Sequence, residues 1–156
     1  MKKFLKIFTM LGIVALLAIQ AIRPERNNPA SDPALAMTAQ LNVPPDVRAI
    51  LERSCYDCHS NQTVWPAYSA VSPVSWFVAD DVKNGREHLN FSEWGTYKPG
   101  RRIAKLDMIV SEVDKGKMPL RKYLLLHGNA ALSEADKDLL CSWAGAVSDS
   151  LTALSQ

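Results

Sequence analysis

Five consecutive residues, Cys55, Tyr56, Asp57, Cys58 and His59, constrain this 156-residue chain more than any other feature. On a helical turn, positions i, i+3 and i+4 share a face, so two sulfurs and an imidazole are presented together. That arrangement suits covalent attachment to haem. Two thioether links reach the vinyl groups on one edge of the ring, and the histidine binds the iron from below. Two other readings of the same residues compete with this one. A dithiol redox pair belongs at a strand-to-helix junction in an alternating fold, and no such pattern is visible. A structural zinc site needs further ligands, available only from His88, His127 and Cys141, which are scattered along the chain. With three cysteines, one is left over from any internal disulfide framework; the odd one, Cys141, reads as a small buried apolar residue.

The N-terminus is set apart from the rest. Lys2, Lys3 and Lys6 precede an apolar run from Ile7 to Ile22, interrupted only by Thr9, Gly12 and Gln20. Residues 1–23 therefore read as a transmembrane anchor or an export signal. A cleavage site should follow the run closely, and none does, which favours an anchor. Ala34, Leu35 and Ala36 have the right spacing but lie beyond Arg23, Glu25 and Arg26. The leading lysines favour a cytoplasmic N-terminus. The expected location is the bacterial inner membrane, with a single N-terminal span and the domain facing the periplasm. Residues 24–43, rich in Pro, Asn, Ala and Ser, read as a flexible tether, and residues 44–156 as the domain. From Asn27 onward, 13 basic residues face 15 acidic ones, which gives no reason to expect a nucleic-acid partner.

The domain's periodicity is helical throughout. Pro45 to Cys58 carries Val47, Ile50, Leu51 and Ser54 on one side. Ser72 is placed to cap a helix with Pro73 in its first position and Val74, Phe77, Val78 and Val82 on its apolar face, ending near Gly85. A third helix runs from Pro99 to Lys115 with Ile103, Leu106, Ile109, Val110 and Val113 recurring, and Gly116 stops it. A fourth starts at Ser133, with Asp136 completing a capping pair, and carries Leu139, Leu140, Trp143, Ala144 and Val147. Trp143 is expected to pack this last helix against the first of the domain. The fold class is all-α: a small helical domain with long loops around one haem, preceded by an N-terminal membrane helix.

The sixth iron position decides what such a haem does. Met118 lies in the run Gly116, Lys117, Met118, Pro119, between a charged residue and a proline, where apolar filling has little purpose. Its soft thioether favours ferrous iron. Met108, on the apolar face of the third helix, reads as core filler. His127 is the main rival to Met118, ahead of His88. A vacant position is the remaining possibility and would give a gas sensor or a peroxidase-like protein. Trp65 and Tyr68 are candidates to wall the haem from water. Arg101, Arg102 and Lys105 read as a solvated face, with haem propionates as the sharper alternative.

These residues resemble a bacterial family of short, membrane-tethered haem-binding domains that carry a single Cys-x-x-Cys-His motif. The resemblance covers Ile22 to Pro24, Ser54 to Ser60, Trp65 to Tyr68, Pro73 to Trp76, Gly85 with Arg86, Leu89 to Trp94, and Met118 to His127. More distantly, the order of helix, motif, aromatic loop, Met-Pro loop and C-terminal helix is similar to small cytochromes c. By that likeness Cys55, Cys58 and His59 hold one haem c and Met118 is its distal ligand. The implied function is single-electron transfer without substrate turnover, with redox partner proteins of the periplasm or inner membrane. The other classes are the sensory or peroxidase-like haem and a non-haem dithiol or zinc interaction module.

Overall fold

The computed structural model describes residues 1–155. It contains eight α-helices among those residues: α1 (Lys2–Ile19), α2 (Met37–Gln40), α3 (Pro45–Ser54), α4 (Tyr56–His59), α5 (Val74–His88), α6 (Pro99–Asp114), α7 (Arg121–Leu124) and α8 (Glu134–Leu154). Short 3₁₀ turns cover Pro33–Leu35, Ala67–Ala70, Phe91–Thr96 and Gly128–Ala130. No strand occurs among the described residues, in keeping with the all-α expectation.

Local chemistry accounts for most of the boundaries. Pro45 opens α3, where its missing N–H is no loss. Gly116 adopts φ +63° just beyond α6, as a glycine placed after a helix end can. At α8 the Ser133 hydroxyl accepts from the Asp136 N–H, and the Asp136 carboxylate accepts from the Ser133 N–H, which completes the capping pair.

Two boundaries differ from expectation. The helix expected over Pro45–Cys58 breaks at Cys55, whose backbone leaves the helical region at φ −128°. The Cys55 carbonyl then accepts from the N–H groups of both Cys58 and His59, so the motif folds as a separate turn. Farther on, Ser72 does not cap α5. Its N–H and hydroxyl are engaged by Gln20, Ile22 and Ser75, and α5 runs past Gly85 to His88.

The core gathers Met37, Val47, Leu51, Trp94, Leu106 and Leu140, all fully buried, where α3 meets the pair α6 and α8. Trp143 packs against this cluster and donates from Nε1 to the Asn42 carbonyl at the start of the domain. Cys141 is half-buried against the same cluster, its thiol directed at the Val110 carbonyl.

Residues 24–43 are not a flexible tether. Met37 is fully buried, and a Cβ on Gly95 would collide with Leu35, so the segment lies against the domain. Arg86 donates to the Asn27 carbonyl and the Asn28 side chain, and Asn28 donates to the Thr63 carbonyl. Composition pointed to a tether because few large apolar residues occur here; the polar side chains are used instead to bond the strap down.

The N-terminal apolar run does form a helix, and none of its residues is buried in protein. Among the described residues, no helix is long and apolar enough to cross a membrane. Three lysines fall inside α1, leaving Ile7–Ile19 as its apolar part. Such a stretch is about 20 Å long, against a hydrocarbon core of about 30 Å.

Candidate functional site

One cavity of about 560 Å³ opens between α3, α4, α5, α6 and the segment from Met118 to Tyr123. Cys55, Cys58, His59 and Met118 all line it. Its walls are apolar, from Leu51, Leu89, Phe91, Ile109, Val113 and Leu120, with charged groups such as Lys105 and Glu112 also present.

His59 is oriented by the backbone. Its Nδ1 lies 3.0 Å from the Leu89 carbonyl oxygen, an acceptor, so Nδ1 carries the proton and Nε2 is left with a lone pair. Burial lowers the His59 pKa, while bonds to the Leu89 and Gly85 backbone oppose that shift. The net effect favours the neutral imidazole, which is the form that binds a metal. Phe91 meets the His59 ring edge-on at 6.2 Å and stacks on Tyr56 at 5.2 Å.

As thiols, the two motif cysteines have pKa values pushed up to about 12, chiefly by burial. They are therefore neutral at physiological pH. The motif turn is seated on α5 at Gly85, where a Cβ would collide with the Cys58 carbonyl oxygen.

Asp57 ties the motif turn to two other segments. One carboxylate oxygen accepts from the Val64 N–H at 3.0 Å and the other from the Tyr123 hydroxyl at 2.8 Å, while the Asp57 carbonyl accepts from Thr63. Burial first, and then the Asp57 carboxylate, raise the Tyr123 pKa and keep its phenol protonated.

The family model described as a haem-binding domain matches residues 14–146. The chain belongs to the haem-binding domain family. Neither a curated protein nor a solved structure matches it.

The cavity suits the group that a haem-binding domain binds. It joins an imidazole with a free lone pair and a thioether to predominantly apolar walls, and its volume is in the range of cofactor sites. Ser54 lines it with a buried hydroxyl that has no partner within the protein. Zinc gains no support from side-chain placement: among the described residues, no three His, Cys, Asp or Glu side chains gather as a metal site.

His127, Tyr68 and Trp65 lie elsewhere in this haem-binding domain. His127 stacks on Tyr123 at 4.1 Å, with the Tyr68 hydroxyl 3.4 Å from its ring nitrogens. Both His127 and Tyr68 line an adjoining cleft that also touches Asp57 and Cys58, not the larger cavity. Trp65 lines a third hollow with Pro24, Trp76 and Arg86. Neither Trp65 nor Tyr68 therefore lines the cavity of the motif. His88 does line it, and its Nδ1 bonds to the Asn84 carbonyl.

Two residues of α6 correct the helical-wheel reading. Lys105 is 8% exposed, lines the cavity and donates to the His88 carbonyl, whereas a solvated face was expected. Met108, expected in the core, is 41% exposed and lines the same cavity. Both residues border the cavity, while Leu106, Ile109 and Val113 stay buried as the periodicity predicts. Arg101 covers the Tyr97 ring and Arg102 bonds to the Tyr97 and Gly95 carbonyls, and neither lines the cavity.

Arg86 is a structural residue that periodicity does not single out. It donates to the Ser60 carbonyl at 2.8 Å and to the Thr63 hydroxyl at 2.9 Å, and so holds the loop after the motif against the N-terminal strap. The only sequence signal for it is its place directly after Gly85.

Proposed function

We propose that this haem-binding domain is a mono-haem c-type cytochrome that transfers single electrons and turns over no substrate. The observation that carries the reading is that Cys55, Cys58, His59 and Met118 line one apolar cavity. In it Cys55 and Cys58 would attach the haem through thioether links, and His59 Nε2 and the Met118 sulfur would hold its iron. Bound haem supplies an iron that alternates between ferrous and ferric states. The chain's own residues do the rest: Leu89 holds His59 in the metal-binding tautomer, and the thioether of Met118 favours the ferrous state. The apolar walls exclude water and raise the penalty for the extra charge of the ferric form.

We further propose that α1 seats the protein in the bacterial inner membrane, with the domain on the periplasmic side. Covalent haem attachment of this kind takes place there, and redox proteins of the periplasm or of that membrane are the partners. The apolar surface of α1 and its leading lysines support this reading.

Expression with the cytochrome c maturation machinery tests the proposal. Haem that stays with the polypeptide through acid extraction, and is released in a Cys55→Ala, Cys58→Ala double variant, is the expected result. Haem extracted by acid from the wild type would rule out thioether attachment and leave reversible binding.

A further inference from the structure

The end of α1 is not free to swivel. Gln20 and Ser72 exchange two hydrogen bonds: Gln20 Nε2 donates to the Ser72 carbonyl, and the Ser72 N–H donates to Gln20 Oε1, each at 2.9 Å. Trp76 Nε1 donates to the Ile22 carbonyl at 2.8 Å, and Arg26 reaches the Ser69 hydroxyl at 3.1 Å. These bonds fix the exit of an apolar helix to the start of α5.

An apolar surface is exposed at that same place. Val71 is 54% exposed, Val74 42% and Phe77 62%, all within the first turns of α5 or just before it. Val64 and Leu126, more exposed still, continue this surface across the cleft that they share with Val74 and Phe77. Contiguous apolar exposure of this kind marks an interaction site. Around it stand groups suited to a headgroup layer: Trp76 with its indole N–H engaged, and Arg23 and Arg26 directly after α1.

We propose that the face formed by Val71, Val74, Phe77, Val64 and Leu126 docks on the lipid bilayer, so that the domain lies against the membrane in a fixed orientation. This rests on the reading of α1 as membrane-seated. Lipid is the occupant because α1, none of whose residues is buried in protein, emerges beside this face and brings the bilayer surface to it. The Tyr68–His127–Tyr123 cluster and Cys58, which line the cleft beneath the face, are thereby turned toward the membrane.

The test uses the full-length holoprotein in vesicles of phosphatidylethanolamine and phosphatidylglycerol, with a benzoyl-phenylalanine photo-crosslinker placed singly at Phe8, Phe77 or Asp149. Phe77 and Asp149 are exposed, so both substitutions are compatible with folding, which the haem spectrum checks. Lipid adducts at positions 8 and 77 and none at 149 are expected. In a Val74→Asp background the adduct at 77 is lost and that at 8 is kept. Adducts at 8 but not at 77 would overturn the docking and leave the seating of α1 intact. No adduct at 8 would overturn the seating itself and the docking with it. Adducts at 149 as strong as at 77, or protein–protein adducts at 77 in place of lipid, would also overturn the docking.

Discussion

Tyr123 donates its hydroxyl proton to Asp57 across 2.8 Å, tying the interior of the Cys-x-x-Cys-His turn to the chain just beyond Met118. The segments that carry His59 and Met118 are thus joined by a bond between two residues of the cavity wall. Tyr123 is held from its other side by the His127 ring, so the phenol has little freedom to leave. Tyr123→Phe keeps the stacking and removes the bond. A hydrogen bond to a charged acceptor is worth about 1.5 kcal/mol or somewhat more. The expected outcome is a fall in Tm of about 3–6 °C in thermal melts. In the haem-loaded protein, the methionine-to-iron charge-transfer band should weaken as well. An unchanged Tm and band would mean that Asp57 does not hold the Met118 segment.

Gly85 and Gly145 both lie within helices, yet the same substitution should act on them in opposite directions. Alanine is favoured over glycine in a helix interior by about 1 kcal/mol. At Gly145 nothing lies within 4 Å of an added Cβ, so Gly145→Ala should stabilise the fold by roughly that amount. At Gly85 the Cβ meets the backbone of Cys58, which cannot swing away as a side chain can. Overpacking of this kind costs about 1–3 kcal/mol and outweighs the gain in helix propensity. Denaturant unfolding of the two variants checks the sign, and Gly85→Ala should also take up less haem because the motif turn is displaced.

How much of this was legible in the sequence depended on whether the signal was local. The Ser133–Asp136 pair, the Gly116 stop and the periodicity of α6 depend on neighbours a few residues away, and each is found in the fold. Lys105 and Met108 were misread because a helical wheel assumes solvent outside and core inside, whereas here one face borders a cavity. The strap of residues 24–43 was misread for a related reason. Beside the buried Met37, its polar ties to the domain bridge more than 30 residues, as in Asn28 to Thr63 and Arg26 to Ser69, and hydrophobic patterning carries no trace of such bonds. Within the site, the motif itself was legible. The Leu89 carbonyl that sets the His59 tautomer was not, since any residue type can supply a backbone acceptor.

The start of α8 should give the protein an acid-sensitive element. Asp136 accepts from Arg53 at 2.7 Å and from the Ser133 hydroxyl and N–H, which together lower its pKa from 3.8 to about 2. A carboxylate whose pKa is depressed by folding stabilises the fold above its unfolded pKa and loses that contribution as pH falls through the folded value. The stability supplied by Asp136 is therefore complete above about pH 4 and declines between about pH 4 and 2. Both partners remain partly exposed, with side chains 31% and 24% accessible for Arg53 and Asp136, so solvent screening limits the contribution to about 1 kcal/mol. Asp136→Asn should lower Tm at pH 5 and flatten the difference in Tm between pH 5 and pH 2. Parallel Tm profiles for the two proteins would show that another carboxylate governs the acid transition.

Two thioethers line the proposed haem cavity, and their backbones distinguish them. Met108 sits on α6 with 41% of its surface exposed, on a helix whose position is set by its packing against α8. Met118 follows the φ +63° turn at Gly116, and its N–H, with that of Lys117, donates to the Glu112 carbonyl. That pair of bonds anchors the loop while its side chain enters the cavity between Lys117 and Pro119. Leucine conserves volume in place of methionine, so neither Met108→Leu nor Met118→Leu should destabilise the fold by more than about 1.5 kcal/mol. Their effects on the iron should differ. Met118→Leu is expected to abolish the methionine-to-iron charge-transfer band of the ferric protein, to lower the reduction potential, and to open the reduced iron to carbon monoxide. Met108→Leu should leave the band and the potential near those of the wild type. The reverse result would assign the sixth position to α6, and loss of the band in neither variant would exclude both methionines as ligands.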